Sequence, residues 1–248
     1  MSDTIQAETV QVEGHDGDEV PAYLARLLGT DSSPGVVVIH HMPGYDPETK
    51  EIVRTFAVHG YLAICPNLHH RDAPGAEHGD AARAAREAGG VPDDRCVEDV
   101  AGAARYLRSI PAWNGKLGVI GYCSGGRQAF LCACRLTVFD AAVDCYGGRV
   151  VAGPDELSAR QPAAPIDLTP SLSCPLLGLF GGRDKNPSPE HVRTLEAALT
   201  QHGKPHEFHT YPDAGHAFFS VDRPMYRVEA ALAGWQRIWD FFGRYLGA

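Results

Sequence analysis

The feature that most constrains this chain is an alternation of short apolar runs with amphipathic helical segments. The clearest run is "GVVVIHH" at residues 35–41, a nearly continuous β-branched stretch that is typical of a strand buried on both faces. Similar runs follow at "YLAICPN", "KLGVIGYC", "FDAAVDCYGG", "LLGLFGG" and "HEFHTYP", and two further strands, "TIQAETVQVEG" and "EVPAYLARLL", open the chain. This order predicts an α/β fold with a mostly parallel, doubly wound sheet and helices on both faces.

The length and composition fit a single domain of this kind. The chain has 248 residues, of which 44% are hydrophobic and 21% are charged, an ordinary composition for a globular protein. We expect one α/β domain over residues 1–248. A proline-rich excursion at about 149–175 has no clear helical or strand period, and we expect it to run over the surface.

The net charge and the hydropathy pattern limit the classes of partner that we expect for this chain. The formal net charge of −9 argues against nucleic-acid binding. No apolar stretch approaches the ~20 residues of a membrane helix, and the first residues lack a basic-then-apolar signal pattern. We therefore expect a cytoplasmic monomer or small homo-oligomer with no membrane partner. The seven cysteines are odd in number and suggest no disulfide framework, so we expect free thiols.

The segment "GYCSG" at residues 121–125 matches the G-x-nucleophile-x-G pattern, with Cys123 in the nucleophile position. A predicted strand precedes it and a predicted helix follows it. In such an elbow the middle residue is held in a strained conformation, and the glycines let strand and helix approach closely. A helix N-terminus also lowers the pKa of a cysteine. The alternative interpretation is a glycine-rich turn that contains a buried cysteine.

An acid and a histidine follow Cys123 in the chain order that hydrolases of this topology use. Asp184 comes after the strand "LLGLFGG", and His216 comes after the strand "HEFHTYP" and before the closing helix. Each position lies at the carboxyl end of its own strand, so we expect the three side chains at one edge of the sheet. Asp144, at the end of "FDAAVD", is the second candidate for the acid, and Asp213 is interpreted as a turn residue.

The segments "GYCSGG", "GGRDKNPSPE" and "DAGHAF" together resemble the dienelactone hydrolases, cysteine-dependent members of the α/β-hydrolase fold. The resemblance extends over most of the chain and includes "VVVIHHMPG" and "GYLAICPNLHHRDAPG". It implies that Cys123 attacks the carbonyl of a small ester or lactone and forms a thioester acyl-enzyme. His216 would then act as the base, and Asp184 would orient its imidazole. The resemblance further implies an oxyanion hole made by the backbone N–H groups of Ser124 and Met42, without a metal or an organic cofactor.

The sequence departs from the family at three positions. His41 stands where the family carries a glutamate that contacts the nucleophile, and we hypothesise that it hydrogen-bonds the Cys123 sulfur or the substrate. The alternative is that His41 only fills the space left by the glutamate. Ala217 and Ser220 stand where the family carries a serine and a substrate-binding arginine. For the family's second arginine there are two candidates in this chain, Arg83 and Arg86.

Two histidine pairs follow strands that we expect to be neighbours in the sheet. They are His40, His41, His69 and His70. Two such pairs resemble a zinc site, but adjacent residues of an extended segment point to opposite faces, so each pair offers one ligand easily. We therefore expect these histidines to line the substrate pocket and expect no metal, and the alternative is plain surface or core packing.

The same constellation is compatible with other acyl transfers. A thioesterase or a peptidase on this scaffold would use the same triad, because all of these reactions pass through an acyl-enzyme. A non-catalytic binding protein is the alternative from another class, and the loss of a triad residue would favour it. None of the three residues is missing from this chain.

Overall fold

The computed structural model describes residues 4–247, and within that range it contains eight strands and six α-helices. The strands are β1 (Ile5–Glu13), β2 (Glu19–Leu27), β3 (Ser33–Ile39), β4 (Leu62–Pro66), β5 (Trp113–Tyr122), β6 (Ala141–Cys145), β7 (Leu176–Gly181) and β8 (His206–Tyr211). The helices are α1 (Pro47–Val58), α2 (His78–Glu87), α3 (Asp93–Arg108), α4 (Ser124–Arg135), α5 (Pro189–Gln201) and α6 (Val228–Leu246).

The strands form one mixed sheet in the order β1-β2-β4-β3-β5-β6-β7-β8. The pairs β1–β2 and β2–β4 are antiparallel, and every pair from β4 through β3 to β8 is parallel. The predicted α/β-hydrolase fold with a mostly parallel sheet is therefore confirmed. Between β6 and β7 the chain has two short 3-10 turns, Pro154–Glu156 and Pro165–Ser171, in the segment interpreted as an excursion.

Helices cover both faces of the sheet because its central strands alternate between two apolar cores. In β3, Val37 and Ile39 pack into one core with α3, α4 and α5, whereas Val36 and Val38 pack into the other core with α1 and α6. All four side chains are fully buried. Burying a side chain of this size stabilises the fold by about 1.5–3 kcal/mol, so the β-branched run specifies the centre of the molecule.

The parallel strands all end at one edge of the sheet, and the predicted catalytic residues follow four of them. Met42 comes after β3, Cys123 directly after β5, Asp184 after β7 and His216 after β8. Since β3 and β5 are neighbours and β6 to β8 continue the same order, the topology brings these four segments together. Among residues 4–247, no helix combines the length and the apolar character that crossing a membrane requires.

Candidate active site

Cys123 sits in a sharp turn between β5 and α4. Its backbone angles, φ 57° and ψ −120°, belong to a region that non-glycine residues rarely adopt. The glycines on either side are required by close backbone approach. A Cβ on Gly121 would lie 1.8 Å from the carbonyl oxygen of Gly125, and a Cβ on Gly125 would lie 2.3 Å from that of Ile39. The motif therefore encodes a strained elbow that projects the thiol beyond the sheet edge.

His216 links the thiol to a buried carboxylate. Its Nδ1 lies 2.8 Å from Oδ2 of Asp184, whose side chain is 2% exposed. The other oxygen of Asp184, Oδ1, accepts the backbone N–H of Asn186 at 3.0 Å. On its other side the imidazole interacts with the Cys123 sulfur, and this interaction raises the pKa of the ring. The structure thus brings the three predicted triad side chains together.

The charges in this chain of contacts favour a thiolate beside an imidazolium. Burial by itself raises the pKa of the Cys123 thiol, but the hydrogen bond and charge of His216 outweigh it and hold that pKa below its ordinary value. Burial by itself lowers the pKa of His216, but its hydrogen bonds to Asp184 and Cys123 raise it to about 10. A proton therefore resides preferentially on the ring rather than on the sulfur.

Two backbone donors point at the same sulfur. The backbone N–H groups of Ser124 and Met42 interact favourably with the thiolate of Cys123 and help to lower its pKa. Ser124 is the first residue of α4, so the positive end of the helix dipole adds to this effect. The resemblance implies the same two donors for an oxyanion hole. They approach the nucleophile from two different segments, the loop after β3 and the start of α4.

The second candidate acid lies elsewhere in the site. Asp144 is fully buried at the end of β6, and its Oδ1 accepts the N–H of Gly147 at 2.7 Å. Its Oδ2 has no hydrogen-bond partner among residues 4–247, and burial raises its pKa to about 7. The carboxyl on the His216 ring is therefore that of Asp184. Asp213 is exposed and pairs with Arg183, in agreement with a turn residue.

His41 does not occupy the place that the sequence predicted for it. Its Nε2 lies 2.7 Å from Oδ2 of Asp46, and Oδ1 of Asp46 accepts the N–H of Thr49, so the pair caps the start of α1. It is not among the residues that line the cavity at Cys123. The prediction that His41 hydrogen-bonds the Cys123 thiol is therefore wrong. His41, Asp46 and Glu48 lie close enough together to act as three metal ligands. Hydrogen bonds already engage both oxygens of Asp46, however.

The other three histidines are also not pocket residues. His40 Nδ1 donates to the carbonyl of His41 and its Nε2 accepts the N–H of Leu68, so both ring nitrogens are engaged; burial lowers its pKa to about 4. His69 packs edge-on against His40 at 4.6 Å, and burial lowers its pKa to about 2. His70 bonds a backbone carbonyl and lines a separate cleft. Their prediction as pocket lining is wrong because packing and backbone groups already occupy them.

The cavity at Cys123 has a volume of about 340 Å³, a size that suits a small molecule. Three arginines reach its wall, Arg86, Arg127 and Arg149, and none of its lining residues is an aspartate or glutamate. Of the two predicted arginine candidates, Arg86 lines this cavity. Arg83 does not, because it faces solvent and pairs with Asp80 one turn earlier on α2.

Sequence reasoning missed several residues of the cavity wall, among them Arg127, Arg149 and Asn186. Arg149 follows the glycine pair of "YGGR" directly after β6 and has a positive φ of 62°. Asn186 follows Asp184 by two residues and accepts the Arg149 N–H on its Oδ1 at 3.0 Å. The available signal was a glycine pair and an arginine at the carboxyl end of a buried strand. Ala217 and Ser220 supply no charge, and Ser220 is 2% exposed.

Known proteins resemble this chain over most of its length. The family model described as "Dienelactone hydrolase family" matches residues 20–246. A protein of Yersinia pestis named "Putative carboxymethylenebutenolidase" is 35% identical over 231 residues, which are 92% of this chain and 85% of that protein. A Bradyrhizobium protein named "Probable 2-oxo-3-(5-oxofuran-2-ylidene)propanoate lactonase" is 28% identical over 236 residues, which are 94% of this chain and 92% of that protein.

A solved structure extends the similarity to three dimensions. The crystal structure of a "Putative Dienelactone Hydrolase" from Klebsiella pneumoniae matches with a TM-score of 0.88 at 30% identity and covers 98% of this chain and 100% of that one. The family model spans every strand from β2 onward and both sides of the elbow. The chain therefore belongs to the dienelactone hydrolase family and is a hydrolase of esters or lactones.

Proposed function

We propose that this hydrolase uses Cys123 as its nucleophile and passes through a thioester acyl-enzyme, with His216 as base and Asp184 as the orienting acid. One observation carries the proposal. His216 Nδ1 lies 2.8 Å from the buried carboxylate of Asp184, and the interactions of the Cys123 thiol with His216 and with the N–H groups of Ser124 and Met42 lower the pKa of that thiol. A nucleophile, its base and the group that orients the base are the parts that covalent acyl transfer needs.

In the acylation step, the thiolate attacks the carbonyl carbon of the ester or lactone. The carbonyl oxygen becomes negatively charged, and the N–H groups of Ser124 and Met42 stabilise it. Donors of this kind are typically worth ~3 kcal/mol each. The carbon–oxygen bond then breaks, and the imidazolium of His216 gives its proton to the leaving alkoxide. For a lactone, the hydroxyl that forms stays attached to the acyl group.

In the deacylation step, neutral His216 takes a proton from water, and the hydroxide attacks the thioester carbon. The thiolate of Cys123 leaves and the acid product departs, so the resting pair of thiolate and imidazolium is restored. The buried carboxylate of Asp184 holds the ring in the tautomer that both steps require and stabilises its positive charge. The name of the Bradyrhizobium relative, a lactonase, favours a lactone among the candidate substrates.

Substitution of the nucleophile tests this proposal. The variants Cys123→Ala and Cys123→Ser would be compared with the wild type on aryl esters and simple lactones, and the matched control would be Cys174→Ala, a buried cysteine away from the cavity. We expect Cys123→Ala to lose at least about 10³-fold in turnover, as triad knockouts do. Intact-mass analysis during turnover of a slow ester should find the acyl group on Cys123. A Cys123→Ala enzyme that keeps a tenth of its activity would exclude this nucleophile.

A further inference from the structure

Two glutamines line the cavity at Cys123, and neither takes part in the steps of acyl transfer. Gln128 lies in α4, and Gln161 lies in the segment between β6 and β7. They are only 4% and 5% exposed, so both side chains are almost completely enclosed. An enclosed amide needs hydrogen-bond partners, because burial removes those that water would supply.

Gln161 has only one end of its amide engaged. Its Nε2 donates to the carbonyl of Val91 at 3.1 Å, and this bond fixes the orientation of the amide because a carbonyl accepts only from the NH₂ end. Its Oε1 is enclosed and has no hydrogen-bond partner among residues 4–247. A Cβ on Gly90 would lie 2.7 Å from Nε2, so this glycine leaves the space that the amide needs. Gln161 therefore holds an unused acceptor at the cavity wall.

Gln128 has an amide that is free at both ends. It follows Ser124 by one turn of α4, and helical side chains lean toward the N-terminus of their helix, so Gln128 extends toward the end that carries Cys123. Within the described part of the chain no hydrogen bond engages its amide, and neither polar atom is among those that the protein fully encloses. The amide therefore reaches the open space of the cavity.

The free groups of the two glutamines define the kind of ligand group that fits between them. Gln161 offers an acceptor, so its partner must supply a hydrogen, which a carboxylate, an ether and a ketone do not have. Gln128 both donates and accepts. The neighbouring Arg127 only donates, and its Nη1 and Nη2 already lie 2.6 and 3.1 Å from the carboxylate oxygens of Asp93. A neutral hydroxyl group matches this wall because it donates one hydrogen bond and accepts another.

The opening of a lactone creates such a hydroxyl inside the cavity. When the thiolate of Cys123 displaces the ring oxygen, His216 protonates the leaving alkoxide, and the new hydroxyl stays on the acyl chain. It is on carbon 4 or 5 for a five- or six-membered ring. The same hydroxyl is able to attack the thioester, expel the thiolate and re-form the lactone. A group that binds this hydroxyl away from the thioester carbon therefore favours hydrolysis over ring closure.

We propose that Gln161 and Gln128 form a binding site for a hydroxyl group on the acyl chain, in which Oε1 of Gln161 accepts its hydrogen and the amide of Gln128 pairs with its oxygen. This inference rests on the proposed function and specifies its substrate class as lactones, and esters whose acyl chain carries a hydroxyl. The two glutamines are specificity residues, because they contact a part of the substrate that does not react.

Neutral esters that differ by one hydroxyl test this inference. Methyl 4-hydroxybutyrate and methyl 5-hydroxypentanoate would be compared with methyl pentanoate and methyl hexanoate, in which a methyl group replaces the hydroxyl. A pH-stat measures kcat/KM for each ester. We expect Gln128→Met and Gln161→Met each to lower the ratio of hydroxy ester to hydrocarbon ester by ~3- to 10-fold, the usual effect of one neutral hydrogen bond. This ratio does not depend on the fraction of folded enzyme in either variant.

Two controls isolate the hydrogen bond from other effects of the substitutions. Gln201→Met makes the same change at the exposed last residue of α5 and should leave every ratio as in the wild type. Methyl 4-methoxybutyrate has the oxygen but no O–H, so Gln161→Met should leave its ratio to methyl hexanoate unchanged. If neither Gln128→Met nor Gln161→Met changes the ratios for the hydroxy esters, the proposal is overturned, and water rather than the substrate pairs with both amides.

A measurement without turnover separates this inference from the proposed function. If the wild type cleaves none of these esters and no simple lactone, the proposed function fails on its own. Protection of Cys123 from iodoacetamide by 4-hydroxybutyramide, compared with pentanamide, then tests the hydroxyl site directly. We expect the hydroxyamide to protect at a lower concentration than pentanamide in the wild type and to lose this advantage in Gln161→Met. The same relative protection in both proteins would overturn the proposal.

Discussion

Two groups of histidines lie beyond the carboxyl ends of the parallel strands, and their surroundings move the imidazole pKa in opposite directions. His216 follows β8 and contacts the buried carboxylate of Asp184 and the sulfur of Cys123, which raise its pKa to about 10. His40 follows β3, its ring bonds a backbone carbonyl and a backbone N–H, and burial lowers its pKa to about 4.

The groups that contact the imidazole ring therefore determine the role of a histidine at this edge of the sheet. Both rings are partly or fully desolvated, which by itself favours the neutral form. Only His216 has an anionic partner on each side, and these two partners reverse the effect. His216 can therefore hold and release a proton during the reaction, whereas His40 and His69 remain neutral packing groups over the ordinary pH range.

The largest expected effect comes from removing the charge that distinguishes His216. In Asp184→Asn the amide cannot stabilise the imidazolium and favours the wrong tautomer, so we expect turnover to fall by up to ~10⁴-fold. The pKa of His216 should fall and that of Cys123 should rise. Steady-state kinetics from pH 5 to 10 would detect both the loss and a displacement of the remaining activity toward higher pH.

Asp144→Asn is the matched control for this change. Asp144 is buried at the end of the neighbouring strand, and its described hydrogen bond reaches Gly147 rather than His216. The same substitution there should cost far less turnover and leave the pH profile in place. The opposite ranking of the two variants would assign the acid of the triad to β6.

The next largest effect concerns the stability of the folded protein in acid, where the buried neutral histidines oppose protonation. The folded-state pKa values of His40 and His69, about 4 and about 2, lie below the ordinary value of ~6.5. Their contribution to stability is therefore complete above pH ~6.5 and is lost as the pH falls, because the unfolded chain binds the protons first. Each of these two histidines should lower the free energy of unfolding by about 2 kcal/mol between pH 7 and pH 5. Urea unfolding at the two pH values measures this loss.

A substitution separates this effect from the titration of the carboxyl groups. His69→Gln should make the loss of unfolding free energy between pH 7 and pH 5 smaller by about 2 kcal/mol, whatever its effect at pH 7. The control is His202→Gln, at an exposed histidine directly after α5, which should leave the loss as in the wild type. Equal losses in all three proteins would mean that His69 does not remain neutral when buried.

The smallest expected effect belongs to His41, whose contact with Asp46 makes it part of the cap of α1 rather than of the thiol site. His41→Gln should cost about 1 kcal/mol of stability, the typical net value of a hydrogen bond. The pH profile of Cys123 alkylation should stay the same, and His41→Glu should leave it the same as well. A displaced profile in either variant would restore the sequence-based hypothesis that His41 acts on the thiol.

Local and periodic signals allowed most of the fold and the triad to be predicted. The alternation of Val36 to Ile39 between two cores predicts a central strand, and the glycines of "GYCSG" predict the elbow because only they tolerate its close contacts. Asp184 and His216 could be chosen because each follows its own parallel strand, and such strand ends meet at one edge.

The pocket walls could not be predicted in the same way. β3 ends at Ile39, so the alternation of a strand no longer determines where His40 and His41 point. His40 instead bonds the His41 carbonyl and the distant Leu68 N–H, and His41 bonds Asp46. Arg149 lies in an irregular segment after β6, where no period applies. Its place in the cavity depends on a positive φ and on Asn186, which comes from a distant part of the chain.

The most direct test of the account is the pH dependence of alkylation at Cys123. Iodoacetamide would be applied from pH 5 to 10, with peptide mass spectrometry to separate Cys123 from the six other thiols, all of which are buried. We expect Cys123 to react first, its apparent pKa to lie below the ordinary ~8.5 of a free cysteine, and His216→Asn to raise this pKa. A Cys123 that titrates near the ordinary value in both proteins would contradict the thiolate–imidazolium pair.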